Sequence, residues 1–327
     1  MAGSRDEPGT VTVNGAARSE RRDGRATLSR AFEHAPAILT SRSRTAAALA
    51  GTLPTFAGRL RSVGMSQNVR TEEMELRDRL AAGESPVGSW VSLGSPAAAE
   101  VVGGLDFDFV VVDTEHTPLS VESAGELVRA VDAAGDTDTV IRVPENDPTQ
   151  VKRALDLGAS GVMAPKVESV EAAESLVAAA SYPPEGNRGV AGSRANGYGA
   201  HTEAYVESAN DAVAVLPQIE TAAGVDNAEA IARVDGVDTL FVGPADLSAN
   251  LGCFGEYEDA TFRQAFDRVL AAAEAAGVPV GTLATGPAEI DAWHRHGVDY
   301  LIAGTDVGYL REGARSAREH YESLFGE

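Results

Sequence analysis

Eight short apolar runs, rich in β-branched residues, alternate with longer helical patterns along this chain, and that alternation restricts its architecture more than any other feature. The runs are VGSWVSL (87–93), FDFVVVD (107–113), DTVIRVP (138–144), GVMAPKV (161–167), VAVLPQI (213–219), TLFVGP (239–244), PVGTLA (279–284) and DYLIAG (299–304). Most of the helical segments between them, such as PTQVKRALDLGA and ATFRQAFDRVLAAAEAAG, end near a glycine, which tolerates the left-handed turn that closes a helix. Eight strand–helix units in about 260 residues match a (β/α)8 barrel. A doubly wound open sheet is the alternative, but it would carry a glycine-rich nucleotide turn after an early strand, and no such motif occurs. A helix from Thr71 to Ala82 is expected to close the barrel's bottom.

The barrel accounts for residues 69–327, and the stretch before it obeys different rules. Residues 1–64 hold ten arginines and five acidic residues, a net charge of +5, whereas the rest carries −27 of the chain's total of −22. Residues 1–68 show neither helical nor strand period, so they are expected to form a disordered extension, or to lie upstream of a true start at Met65. Arg21-Arg22 without an adjoining apolar stretch makes a poor export signal. The acidic remainder, with lysine only at 152 and 166, resembles proteins of salt-loving organisms and should repel nucleic acid and anionic membranes. One cysteine, Cys253, leaves no internal disulfide and fits a cytoplasmic setting. No apolar run reaches the roughly 20 residues that span a bilayer.

In a (β/α)8 barrel the chemistry sits where the strands end, because the loops there line the open mouth. The second run ends in Asp113-Thr114-Glu115-His116, the third in Arg142-Val143-Pro144, the fifth in Gln218-Ile219-Glu220, and the sixth in Gly243-Pro244-Ala245-Asp246. Charged groups at such places need compensation, since burying an isolated charge costs several kcal/mol. A hard divalent cation on Glu220 and Asp246 would supply it, with water and substrate filling the other positions. Each carboxylate could instead cap the helix that follows it. Arg142 is placed to stabilise developing negative charge, or to form an ion pair with Asp113 or Glu115. His116, whose ordinary imidazole pKa near 6.5 permits proton transfer in both directions, could be oriented by Asp113. The other histidines, at 34, 201, 294, 296 and 320, are expected to face solvent. The glycine-rich segment 182–199 is read as an active-site loop, with Arg188 available to anchor an acidic substrate.

The ordered set WVSLGSPAAAEVVGGLDFDFVVVDTEH, IRVPENDPTQVKRALDLGASGVMAPKVES, YPPEGNRG, LPQIET and FVGPADLS resembles the HpcH/HpaI aldolases over residues 70–325. The resemblance implies a barrel of the phosphoenolpyruvate/pyruvate type with an exchanged last helix, in a homo-oligomer that is hexameric or trimer-based. It also implies a metal-dependent aldolase that reversibly cleaves a 4-hydroxy-2-keto acid to pyruvate and an aldehyde. Glu220 and Asp246 would hold Mg2+, Mn2+ or Co2+. Arg142 would stabilise the enolate, and Asp113 and His116 would handle the C4 hydroxyl proton. Gln218, Gly243, Pro244 and Ala245 would contact the substrate.

Three rivals remain on sequence grounds. A Schiff-base aldolase would use Lys166, which requires that lysine to be buried. A citrate or malyl-CoA lyase-like thioester lyase would need basic residues for nucleotide phosphates. A non-catalytic keto-acid-binding barrel would be expected to have lost one of the six polar residues at positions 113, 116, 142, 218, 220 and 246, and all are present.

Overall fold

The computed structural model describes residues 74–326. Its eight strands are β1 (Val87–Val91), β2 (Phe109–Asp113), β3 (Asp138–Arg142), β4 (Gly161–Ala164), β5 (Ala214–Ile219), β6 (Leu240–Val242), β7 (Val280–Ala284) and β8 (Tyr300–Thr305). They form a closed barrel in chain order, each pairing parallel with the next and β8 with β1. This is the expected (β/α)8 barrel. The helices are α1 (Leu76–Ala81), α2 (Pro96–Gly103), α3 (Val121–Ala134), α4 (Pro148–Asp156), α5 (Val170–Ala180), α6 (Thr202–Ala212), α7 (Ala222–Ala232), α8 (Pro244–Asn250), α9 (Ala260–Ala276), α10 (Pro287–His296) and α11 (Asp306–Phe325). No described helix is long and apolar enough to cross a membrane. The expectation for residues 1–68 lies outside the described residues.

Period-two alternation along each strand divides the apolar residues into two layers. Val110, Val112, Ile141, Val162, Val215 and Val242 pack outward against the helices. Phe109, Val111, Val140, Met163, Leu216, Phe241 and Ile302 fill the barrel interior. Room for the rings comes from glycine: a Cβ on Gly88 would stand 2.5 Å from the Phe109 ring, and one on Gly281 would stand 2.1 Å from the Tyr300 ring. Leu76 and Leu80 of α1 close this interior from below, and the Leu76 amide donates to Asp138 at 2.7 Å, so the plug lies where it was expected, although its helix begins at Leu76, with Met74 and Glu75 outside it.

The same parity fixes the mouth. Because Phe109 and Val111 point inward, so does Asp113; Val140 brings in Arg142, and Leu216 brings in Gln218 and Glu220. The Asp113↔Arg142 register pair sets the first two side by side.

The segment 182–199 is not part of this mouth. It leads from α5 into α6, part of the connection to β5 at the opposite end of the barrel, and Arg194 within it donates to the Leu157 carbonyl and pairs with Asp132 at the C-terminal ends of α4 and α3. Arg188 is buried between the rings of Tyr182 and Tyr205, with Asp156 at 3.3 Å, so it holds this connection together and is not available to a substrate. His296 also departs from expectation, packing half-buried near Phe266 and Trp293.

Candidate active site

Arg142 organises the mouth. Its Nε and Nη2 donate to the two Asp113 oxygens at 2.9 and 2.8 Å, a forked pair, while Nη1 lies 2.9 Å from Glu115. The guanidinium stacks over Trp90, 4.6 Å from the ring centre. Both ion pairs foreseen for Arg142 are therefore present together. Burial pulls the Asp113 carboxyl upward, but the Arg142 fork and the amides of Glu115 and His116 outweigh it and hold Asp113 below the usual carboxylate range. Glu115 goes the other way, raised by burial that Arg142 and His116 only partly offset.

Asp113 reaches His116 through the backbone alone, accepting from its N–H at 3.3 Å. The imidazole itself, with 62% of its side chain exposed at the rim, lies 3.7 Å from Glu115. The expected orientation of the ring by Asp113 is thus replaced by a Glu115 contact. Glu115 is the residue that sequence reasoning undervalued. Its position two beyond Asp113 was the available signal, because a run continuing the strand's alternation keeps the same face.

Across the mouth, Glu220 is 2% exposed and accepts from the Lys166 amide at 3.0 Å and from the Gln218 amide nitrogen. Burial pushes its carboxyl up to about 7, and the charges of Asp246 and Glu115 add to the effect. Neither carboxylate serves as a cap. The side-chain cap of α7 is Thr221, which accepts from the Gly224 amide, and the N-cap of α8 is Gly243, with no side-chain bond. Asp246 stands exposed in the first turn of α8. Gly243 cannot carry a side chain here, because a Cβ would lie 2.6 Å from Gln218 Nε2 and 2.9 Å from Glu220 Oε2. The Gln218 Oε1 atom is buried without a hydrogen-bond partner.

A cavity of about 260 Å³ opens over these groups, lined by His116, Arg142, Gln218, Gly243, Pro244, Ala245 and Asp246 and, on the far side, by Tyr257, Leu283, Thr285 and Glu289. The Glu220 carboxylate, its pKa raised, and the carboxylate of Asp246, beside an unpartnered amide oxygen, form an all-oxygen donor set that suits a hard divalent cation retaining several waters. Among the described residues no group of three or more His, Cys, Asp or Glu could enclose a metal, so the remaining ligands would come from water and substrate. A second hollow of about 310 Å³ lies at the barrel's other end, beside Gly103, Asp136 and Asp138, away from every strand-end group named above. Lys166, by contrast, is exposed, with φ of +52°, and lacks the burial a Schiff-base lysine requires.

A closed parallel barrel with its polar residues gathered at the C-terminal strand ends is the architecture of a (β/α)8 enzyme, and the mouth of this one offers acidic oxygen donors. The HpcH/HpaI aldolase/citrate lyase family model matches residues 87–312, and the chain belongs to that family. It is a carbon–carbon lyase of the aldolase type. It is 38% identical over 247 residues to a 4-hydroxy-2-oxovalerate aldolase of Novosphingobium aromaticivorans, covering 75% of this chain and 94% of the relative. It is also 38% identical over 244 residues to a 5-keto-4-deoxy-D-glucarate aldolase of Escherichia fergusonii, covering 74% and 94%. Among solved structures, an HpcH/HpaI aldolase/citrate lyase family protein from Burkholderia cenocepacia superposes with a TM-score of 0.73 at 39% identity, covering 76% of this chain and 98% of that one.

Proposed function

We propose that residues 69–327 form the catalytic domain, and that its cavity cleaves a 4-hydroxy-2-keto acid reversibly to pyruvate and an aldehyde. The reading rests on one observation above others: Arg142 and Gln218 line one cavity, the first bonded to Asp113 and the second to Glu220. The keto-acid head lies against Gln218 and the Gly243-Pro244-Ala245 turn, facing Arg142. Glu220 and Asp246 hold a divalent cation, Mg2+, Mn2+ or Co2+, which when bound supplies a Lewis acid for the keto acid.

His116, open to solvent at the rim, takes the proton of the C4 hydroxyl, directly or through a water. As the C4 oxygen forms its carbonyl, the C3–C4 bond breaks and its electron pair becomes the pyruvate enolate. Arg142 stabilises that charge with donors that Asp113, Glu115 and the Trp90 ring hold in place. A proton then returns to C3 and completes pyruvate. Among the described residues lining the cavity, Arg142 is the single permanent cation and is already bound by two carboxylates, which disfavours a substrate bearing nucleotide phosphates.

The chain works as a homo-oligomer, as the exposed face of α11 supports: Leu310, Tyr321, Leu324 and Phe325 are each more than 60% exposed. Pyruvate release from 4-hydroxy-2-keto acids, followed with and without a divalent metal, tests the reading. Activity should vanish on chelation and in E220A. Turnover that survives chelation, together with a borohydride-trapped adduct on Lys166, would sink it.

A further inference from the structure

The β7 side of the cavity has a chemistry of its own. Glu289 stands in the first turn of α10, and its Oε2 accepts from the Thr285 backbone amide at 2.7 Å and hydroxyl at 2.9 Å. Those bonds fix the carboxylate of a residue that lines the cavity. Tyr257 borders the same space from the loop between α8 and α9, its ring packed 5.4 Å from Trp293 and 5.3 Å from Phe262. Burial raises the Tyr257 hydroxyl pKa, and the charges of Glu289 and Asp246 raise it further, so the phenol keeps its proton.

The keto-acid head, on the reading above, is held from β3, β5 and β6. In the barrel order β7 lies beside β6 and across from β3, so the β7 wall faces the other end of the substrate. That wall offers acceptors and a phenol, and among the described residues of the cavity no cation on that side. A carboxylate there would meet Glu289 at close range, whereas a hydroxyl would find a charged acceptor.

We propose that Glu289 and Tyr257 set the aldehyde specificity, admitting a neutral, hydroxyl-bearing aldehyde and rejecting one that carries a carboxylate. The inference rests on the keto-acid lyase reading and names the second half of its substrate. Glu289 also closes the first turn of α10, and the test separates the two roles, because glutamine keeps an oxygen for the Thr285 donors while removing the charge.

Aldol addition of pyruvate to glyceraldehyde, propionaldehyde and succinic semialdehyde is to be measured with the full chain and a divalent metal. Wild type should favour glyceraldehyde over succinic semialdehyde in kcat/KM by about tenfold or more, a single charge-assisted hydrogen bond being worth that much. E289Q should shrink that ratio by about tenfold, and Y257F should raise the KM for glyceraldehyde but not for propionaldehyde. A wild-type preference for succinic semialdehyde, as a cation supplied from outside this cavity would produce, or an unchanged ratio in E289Q, overturns the inference. Metal-dependent exchange of pyruvate C3 protons with deuterium, run on wild type without aldehyde, tells the two failures apart. If exchange is absent, the keto-acid reading itself has failed. If exchange proceeds while the ratios contradict expectation, the assignment of Glu289 and Tyr257 alone is wrong.

Discussion

Arg142 illustrates how one side chain serves both stability and chemistry. Its forked bond to Asp113 and its contact with Glu115 use all three guanidinium nitrogens, a geometry that an ammonium group cannot reproduce. R142K should therefore keep the charge and lose the positioning. Turnover is expected to fall about a hundredfold, the scale for losing one oxyanion donor, with a smaller change in KM. An R142K enzyme with unaltered kcat would remove Arg142 from the reaction. Glu220 supplies a second test. In the metal-free protein its carboxyl titrates at about 7, so a cation binding at lower pH must displace a proton. Calorimetry at pH 6 in buffers of different ionisation enthalpy should report about one proton released per Mg2+ bound, with affinity falling about tenfold per pH unit below 7. Zero protons released would place the cation elsewhere. These residues were legible in the sequence because a strand's period of two carries parity into its last residue. Side-chain pairing was legible only in part: an Arg142 ion pair with Asp113 or Glu115 could be foreseen, but the spacing of Asp113 and His116 also suited a contact between those two, and the register of β2 against β3 is what gives the Asp113 carboxylate to Arg142.

At the scale of elements, all eight strands could be read because they are buried on both faces and so appear as apolar β-branched runs. Their ends were less clear. GVMAPKV was read to Val167, but β4 stops at Ala164, where the chain turns through Lys166 in the left-handed region. The segment 182–199 was misplaced because its length suggested function, while the side on which it lies follows from topology: with α6 it carries the chain from the end of α5 to the start of β5, and such helix-to-strand connections run beneath the barrel. The plug helix α1 was expected, and its energetic weight can be measured. Leu80 is 2% exposed, packed with Leu76 among the side chains that fill the barrel interior. L80A should cost about 2–5 kcal/mol in urea unfolding with little change in m. A loss under about 1 kcal/mol would mean that α1 rests on the barrel without sealing it.

The whole molecule sets two opposing terms against each other. From Tyr309 to Gly326 every residue of α11 and its cap is exposed, and Tyr321 and Phe325 stack at 4.8 Å on a face that no other part of the described chain covers. On the homo-oligomer proposed above, a second copy of this chain would bury that face. Opposing it is the net charge of −22, which makes every copy repel every other at long range. Salt changes the two terms unequally: raising KCl from 0.1 to 1 M shortens the screening length from about 10 Å to about 3 Å and removes most of the repulsion, while the apolar contact remains. Sedimentation equilibrium should therefore show an oligomer whose dissociation constant falls as KCl rises. The double variant L324D/F325D should sediment as a smaller species at every salt concentration while its far-ultraviolet circular dichroism stays that of the wild-type barrel. A wild-type protein that remains monomeric in 1 M KCl, or a double variant that assembles as wild type does, would show that the end of α11 is not what joins the copies.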